Sequence, residues 1–205
     1  MDLSITSPLG LTPSQTERVR DVITALVYST PGKVTVGKLN KLLYIAELGY
    51  IKKYGERLCP ARILHWKHGP YSFDVEEALD ILDGDVLSID RRETGDCGVI
   101  RLVQAAKEKT DVALDEETVA FLKEIGETWG TRDYRKELVP FAYATMPFAE
   151  TPFHQVIDLD RYLPLSDEER AEIDYVPDQE MQRAMDASLK INDKELEPAL
   201  GLLNA

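Results

Sequence analysis

Apolar residues recur at the spacing of an α-helix in several segments, and residues that favour helix ends stand at the borders of those segments. Near the N-terminus, Thr12 and Gln15 form a capping-box pattern around Pro13, which suits the first position of a helix. The apolar positions that follow predict one buried face: Val19, Val22, Ile23, Leu26 and Val27. The Pro-Gly pair soon after Ser29 predicts the end of this first helix.

A second, longer helix is predicted from Thr35, its cap, to about Tyr54, where Gly55 provides a stop signal. One side of this helix is apolar and is expected in the core: Val36, Leu39, Leu42, Leu43, Ala46, Gly49 and Tyr50. Three lysines project from a different, narrow sector, where we expect them to be exposed: Lys38, Lys41 and Lys52.

Residues 61–67 alternate in polarity as a short strand does, and the His-Gly-Pro sequence that follows is expected to break it. Gly69 and Pro70 predict a sharp turn that seats Trp66 against the second helix. Ser72 then begins a third helix, whose first turn is acidic and therefore favourable to the helix dipole. Its apolar side is expected to be buried: Val75, Ala78, Leu79 and Leu82.

A hairpin and a fourth helix are predicted next. The two strands of the hairpin cover residues 86–90 and 99–103, and their polar, glycine-bearing connection, 91–98, is expected to be exposed. Asp115 caps the fourth helix, and Gly130 closes it. The hairpin therefore has the character of a wing that projects from a helical body.

The order helix, helix, strand, helix, hairpin predicts a mainly α fold with a small β element and a winged-helix-like core. Residues 132–144 predict a further helix that Pro140 kinks or shortens, and residues 146–165 predict an ordered, irregular segment. We assign residues 1–165 to this domain and residues 166–205 to an acidic, partly helical C-terminal extension.

The formal net charge of −13 is unevenly distributed along the chain. Residues 166–205 hold 11 acids and 4 bases; Ser166 and Glu169 make a second capping box there, and residues 178–190 predict an acidic helix. Residues 33–68 instead carry 8 bases against 2 acids. Because surface fields are local at physiological salt, we expect a basic flank and an acidic extension.

Signatures of catalysis, nucleotide binding and metal binding are missing from the sequence. There is no P-loop, no G-x-G-x-x-G, no G-x-S-x-G and no H-E-x-x-H. His65 and His68 point to opposite sides if both lie on a strand, and two cysteines, Cys59 and Cys97, do not make a zinc site or a disulfide framework. We therefore expect no catalytic residue, no cofactor and no metal.

The chain also lacks an apolar run of membrane-spanning length, and its start, MDLSITSPLG, has no basic and apolar leader. These features predict a cytoplasmic protein without a membrane partner, and free thiols suit that reducing compartment.

Two segments together resemble the SocA-like Panacea domain family. Residues 38–47 read KLNKLLYIAE, and residues 66–71 read WKHGPY. In that family a K-L-x-K-L-L-Y-x-A helix precedes an aromatic residue and a G-P turn at a similar separation. The resemblance is clear over residues 34–90 and weaker to about residue 155. A late H-x-x-x-x-P-W-like segment of the family corresponds to ATMPF at residues 144–148, which lacks the histidine and the tryptophan.

The resemblance implies an antitoxin that binds and neutralises a cognate toxin in a bacterial, archaeal or phage toxin–antitoxin pair. One branch of the family acts as an adaptor that delivers its toxin to a protease, so a protease or a chaperone is a further partner to consider. The residues that we expect to contact a partner are Lys38, Lys41, Tyr44, Lys52, Trp66, His68, Tyr71, Arg91 and Arg92. The residues that we expect to be structural are Leu39, Leu42, Leu43, Ala46, Gly69 and Pro70.

A DNA-binding regulator that controls its own operon is the alternative. In that hypothesis the lysines of the second helix, with Arg91 and Arg92 on the wing, contact phosphates. A merely solvated helix face explains the same lysines. The acidic extension could also fold back on the basic flank, or occupy a toxin's nucleic-acid-binding surface.

Overall fold

The computed structural model describes residues 10–93, 99–108, 110–166, 168–169 and 173. Within them the chain forms α1 (Pro13–Ser29), β1 (Val34–Thr35), α2 (Val36–Tyr54), β2 (Leu64–Trp66), β3 (Gly69–Tyr71), α3 (Phe73–Leu82), β4 (Leu87–Glu93), β5 (Val99–Ala105), α4 (Glu116–Trp129), a π-helical turn (Tyr134–Leu138), α5 (Val139–Tyr143), α6 (Met146–Glu150) and a 3₁₀ turn (Asp160–Tyr162). The prediction of a mainly helical fold with a small β element is confirmed.

The ends of the first two helices lie where their capping residues predict them. At the start of α1, the Gln15 amide donates to the Thr12 hydroxyl at 3.3 Å, and the Gln15 side chain accepts from the Thr12 amide at 2.9 Å. The Thr35 hydroxyl caps α2 in the same way. Gly55 ends α2 in the left-handed conformation, with φ of 69°, which glycine adopts without steric cost.

The chain between α4 and α6 is helical over residues 134–143, within the helix predicted over residues 132–144. It forms the π-helical turn, which Asp133 caps, and then α5. Leu138 and Val139 keep right-handed helical angles, so the π-helical turn runs directly into α5 and Pro140 lies within one continuous helical segment. The distortion predicted for Pro140 is the π-helical turn immediately before it.

The larger sheet has three strands in the order β1-β5-β4, all antiparallel. Its hairpin is longer than predicted, because β4 continues through Arg91 and Arg92 to Glu93 and pairs with β5 along its whole length. The predicted exposed connection is correspondingly shorter, and residues 94–98, which include Cys97, lie outside the described residues. β1 has two residues and no alternation that could have predicted it.

The smaller sheet pairs β2 with β3, which corrects the prediction that the sequence after residue 67 simply breaks a strand. The chain turns at Lys67 and His68 and returns through Gly69. Gly69 has a φ of 91°, a backbone conformation that glycine adopts readily because it has no Cβ. A late segment joins the other edge of β2: the Ile157 amide donates to the Ile63 carbonyl at 2.7 Å. Residues distant in sequence therefore meet at this hairpin.

The core surrounds α2, which is buried on nearly every side. α1 packs against α2, α3 and α4, and the Gly126 backbone of α4 lies so close to Ser29 of α1 that an added Cβ would stand 2.5 Å from the Ser29 Cβ. The apolar faces predicted for α1 and α3 are buried as expected.

The C-terminal part is described only in its first residues. The second capping box is confirmed: the Ser166 amide donates to the Glu169 carboxylate at 2.8 Å, and the Glu169 amide donates to the Ser166 hydroxyl at 3.3 Å. The helix predicted over residues 178–190 lies outside the described residues, and the domain boundary after residue 165 stays a prediction. None of the described helices combines the length and the apolar character needed to cross a bilayer.

Candidate protein-contact surface

Aromatic side chains gather on the surface beside the β2-β3 hairpin. We call Trp66, Tyr71, Phe73, Phe153 and His154 the aromatic ridge. The ring centroids of Phe153 and His154 lie 3.8 Å apart, those of His154 and Trp66 4.6 Å, and those of Trp66 and Phe73 5.6 Å. Tyr71 contacts Phe73 edge to face at 5.5 Å. The five rings therefore form one continuous strip.

Two phenylalanines of the ridge are more exposed to solvent than large apolar side chains usually are. Phe73 is 40% exposed and Phe153 52%, and the nearby Val156 is 51% exposed. Large apolar groups that face water together are costly in isolation and mark sites where proteins bind other proteins. Tryptophan and tyrosine, which this ridge also contains, are among the residues that contribute most to protein–protein binding.

Rigid elements hold the ridge in place. The His65 ring, next to Trp66 in β2, contacts buried Phe148 with centroids 3.9 Å apart, and its Nδ1 lies 2.6 Å from the Thr151 carbonyl. Backbone hydrogen bonds between His65 and residues 154 and 155 fix the late segment against β2. The ridge is thus a preformed surface, and preformed surfaces bind at a lower entropic cost.

The outer face of α3 extends the ridge. Phe73, Glu77, Asp80 and Ile81 lie on one side of this helix, and Ile81 is 47% exposed. We call these four residues the α3 face. Glu76 flanks it and is held by the Tyr71 hydroxyl and by the Arg101 guanidinium. The α3 face therefore has apolar ends and carboxylates between them.

The structure places Lys41 in the core, so the prediction of an exposed position for this residue is wrong. Its side chain is 1% exposed, and its ammonium donates to the Pro70 carbonyl at 3.1 Å. The aliphatic stem lies under Gly69, where a Cβ would stand 3.1 Å from the Lys41 Cε. Burial lowers the pKa of Lys41 to about 7, because the charged form loses its hydration.

We expect the stability of the wild-type protein to rise with pH above 7, and the Lys41→Met variant to lose most of that rise. Between the folded pKa of about 7 and the unfolded pKa of 10.5, the unfolded chain binds more protons than the folded one. Stability then increases by at most about 1.4 kcal/mol per pH unit. Urea unfolding between pH 7 and 8.5 measures this slope. An equal slope in both proteins would contradict the assignment.

The window from pH 7 to 8.5 lies between the pH ranges in which His65 and Cys59 change the stability of the protein. Burial lowers the pKa of His65. This shift reduces the stability of the folded protein only as the pH falls below 6.5, the ordinary pKa of histidine. Burial raises the pKa of the Cys59 thiol, so its contribution is lost only as the pH rises past its ordinary value of 9.0. Lys38 has a pKa lowered by burial and is present in both proteins, so the difference between their slopes isolates Lys41.

Tyr44 is likewise fully buried, and its hydroxyl shares a 2.6 Å hydrogen bond with Thr145. Lys38 is half-buried and donates to the carbonyls of Gly130 and Arg132 at 2.6 and 3.1 Å, which ties α2 to the end of α4. Lys52 is half-buried on the last turn of α2. We therefore leave Tyr44, Lys38 and Lys41 out of the proposed contact surface.

The two arginines predicted on the wing are engaged with carboxylates of the protein itself. Arg91 lies 2.9 Å from Asp83, and Arg92 lies 2.9 Å from Asp90. Arg57 and Arg62 of the predicted basic flank line an open groove of about 740 Å³ but pair with Glu47 and Asp74 at 2.9 and 2.7 Å. Arg57 and Arg62 are therefore neutralised within the protein.

Of the other predicted residues, Trp66 and Tyr71 belong to the ridge, and half-buried His68 lies in the turn beside it. The residues expected to be structural are all buried: Leu39, Leu42, Leu43, Ala46, Gly69 and Pro70. The turn residue that meets α2 is Gly69, over Lys41, while the ring of Trp66 contacts Phe73 and His154.

Sequence reasoning missed three of the five residues of the ridge. Phe73, Phe153 and His154 reach it by tertiary contacts, and the only sequence signal is the aromatic and proline content of residues 146–165. It also missed Glu47, a fully buried carboxylate that accepts hydrogen bonds from Arg57, from the Leu58 and Cys59 amides and from the Cys59 thiol. Within the described residues, no group of three or more His, Cys, Asp or Glu side chains is placed to hold a metal ion.

Comparison with known proteins agrees with the motif. The family model described as "Antitoxin SocA-like, Panacea domain" matches residues 39–195, which is more than half of the chain. A search of curated proteins finds no match. The matched region contains the aromatic ridge, the α3 face, residues 66–71 and all of residues 38–47 except Lys38. The chain therefore belongs to the antitoxin SocA-like family with a Panacea domain.

Proposed function

We propose that the chain neutralises a cognate toxin by direct protein–protein contact through the aromatic ridge. The observation that carries this proposal is a contiguous strip of five aromatic side chains on a rigid support, of which Phe73, Phe153 and His154 are exposed. Membership of an antitoxin family supports a toxin as the partner in general terms. Delivery of the bound toxin to a protease would add a second contact and leave the first unchanged.

We infer that the core is a winged-helix-like arrangement. The sheet order β1-β5-β4 and the position of α3 immediately before the β4-β5 hairpin support this interpretation. In DNA-binding proteins of the helix-turn-helix type, the corresponding helix enters the major groove. The charge of α3 then decides between a nucleic-acid partner and a protein partner.

That charge weighs against the DNA-binding alternative. α3 carries Asp74, Glu76, Glu77 and Asp80 and has no Lys, Arg or His. Binding to DNA gains most of its affinity from cations that neutralise phosphates, and carboxylates at that position repel them.

Co-expression with the product of the adjacent gene tests the proposal. That product alone is expected to stop growth, and the full-length chain is expected to restore it and to co-purify with it. A neighbour that is harmless alone and never co-purifies with this chain would remove the proposal. Restored growth without a complex would replace direct contact with control of toxin expression.

A further inference from the structure

We propose that the partner adds an extended segment of its chain to the free edge of the smaller sheet, at Val156. This inference rests on the proposed function, and it names the backbone conformation of a toxin segment that binds next to the ridge. Strand addition of this kind gains its affinity from main-chain hydrogen bonds, so it fits a partner that offers an exposed, extended stretch of chain.

The first step is that the late segment, residues 154–157, forms the outer strand of the smaller sheet. The Ile157 amide donates to the Ile63 carbonyl at 2.7 Å, and the His65 amide donates to the Gln155 carbonyl at 2.9 Å. The strand order is then β3, β2 and the late segment, because β3 occupies the other edge of β2. Among the described residues no further strand pairs with the late segment.

The second step is the direction of the Val156 backbone. Val156 lies opposite Leu64 in an antiparallel bridge, and the two hydrogen bonds just described flank this pair. In such a pair the N–H and the C=O of each residue point away from the opposite strand. Those of Leu64 face Tyr71 of β3, and those of Val156 face outward. Neither backbone group of Val156 has a hydrogen-bond partner in the part of the chain that the structure describes.

The third step is the space beside this edge. Val156 is 51% exposed and lines the open groove of about 740 Å³, to which the start of α1 contributes Ser14, Gln15 and Arg18. Clefts that hold ligands commonly measure about 300–1,000 Å³. The groove therefore has room for an extended segment next to the two free backbone groups of Val156.

The fourth step is the continuity of this edge with the aromatic ridge. Phe153 and His154 belong to the ridge and lie three and two residues before Val156, and two residues of extended chain span at most about 7 Å. His154 has a φ of 67°, a region that residues other than glycine seldom adopt and that is frequent at binding sites. A partner that covers these two rings therefore comes within reach of the Val156 backbone.

Charge gives this groove little selectivity. Arg57 and Arg62 line it, but they pair with Glu47 and Asp74 inside the protein. Backbone groups that face outward from a sheet edge are instead a template for an added strand. The edge therefore recognises an extended conformation without proline at the paired position, whatever the charge of the partner segment.

Proline at position 156 tests the inference, with purified toxin encoded by the adjacent gene as the probe. Val156→Pro removes the outward N–H and leaves the hydrogen bonds of Gln155 and Ile157 to β2 in place. We expect it to weaken binding at least about 10-fold in a calorimetric titration. The control Val156→Thr keeps the N–H, the shape of the side chain and the preference for a strand, so we expect a change of less than about 3-fold.

Amide hydrogen exchange of the wild-type chain gives a second readout that needs no substitution. In the free chain the Val156 amide is expected to exchange at least about 10-fold faster than the Ile157 amide, because only the latter is bonded within the sheet. Bound toxin is expected to slow the exchange of the Val156 amide at least about 10-fold.

The possible outcomes separate this inference from the proposed function. If Val156→Pro binds the toxin as tightly as wild type while Trp66→Ala abolishes binding, strand addition is wrong and the proposed function stands. If the wild-type chain does not bind the toxin, the proposed function itself fails. If the Val156 amide is already protected in the free chain, another part of the chain covers the edge and the inference is overturned. A wild-type dimer that Val156→Pro abolishes in light scattering would assign the edge to a second copy of this chain and overturn the inference as well.

Discussion

Replacement of Glu47 by alanine is expected to remove about 3–5 kcal/mol from the free energy of unfolding. The carboxylate is fully buried and lies 2.9 Å from the Arg57 guanidinium. It also accepts from the Cys59 amide at 3.0 Å. Alanine leaves the buried Cys59 amide and the Arg57 Nε–H without their acceptor, while the rest of the Arg57 guanidinium keeps Asp160 and the Ala61 carbonyl. Urea unfolding followed by circular dichroism measures the loss.

An exposed glutamate provides the matched control for this substitution. Glu124→Ala on α4 is expected to change the free energy of unfolding by less than about 0.5 kcal/mol, as surface substitutions usually do. Because domains of this kind are stable by about 5–15 kcal/mol, Glu47→Ala leaves a protein that is marginally folded. Equal stability of the two variants would mean that the buried cluster around Glu47 does not hold the loop at residues 57–59.

Alanine at both Trp66 and Phe73 is expected to abolish protection against the toxin in growing cells. Truncation of one aromatic residue at the centre of an interface commonly costs about 2 kcal/mol or more, which is about 30-fold in affinity. The two side chains contact each other at the middle of the ridge, with centroids 5.6 Å apart. The measurement is growth of cells that express the toxin together with the single and the double variants.

The second tryptophan of the chain separates lost binding from lost stability. Trp129 is also partly buried, and it contacts Phe141 at 4.6 Å outside the ridge. Trp129→Ala should therefore unfold at a temperature similar to that of Trp66→Ala and still protect the cells. If both tryptophan variants protect equally, the ridge is not the contact surface.

The helices could be predicted from the sequence because their signals are local. Thr12, Thr35 and Asp115 each precede an apolar repeat, and each caps the helix expected of it. The strand pairings could not be predicted in the same way. β1 is two residues long, and the segment that joins β2 lies some 90 residues later in the chain. Such pairings depend on tertiary contacts that no local pattern records.

The prediction that Lys41 is exposed failed for a different physical reason. Helical periodicity assigns a lysine to the solvent side, but a long apolar stem with one donor at its end can be buried if a carbonyl accepts from it. Here the Pro70 carbonyl does so at 3.1 Å. Asn40 makes a parallel contact, since its Oδ1 accepts from the Ser72 amide at 2.7 Å. The two segments of the family motif, residues 38–47 and 66–71, thus contact each other in the interior.

These interior contacts indicate that the motif has a structural role in the protein. The sequence predicts that Lys41 contacts a partner, yet Lys41 and Asn40 instead hold β3 and the start of α3. Those elements carry Trp66, Tyr71 and Phe73 at the surface. The motif therefore builds the support for the ridge, while the aromatic residues form the exposed part.

The most direct test of contact through the ridge is a calorimetric titration of the purified chain with purified toxin. Neutralisation by direct contact predicts saturable binding by the wild-type chain with a Kd below about 1 µM, and at least about 30-fold weaker binding by Trp66→Ala. Trp129→Ala should bind like wild type. Full protection of cells by a chain that gives no binding in this titration, or equal affinity of wild type and Trp66→Ala, would contradict the central claim.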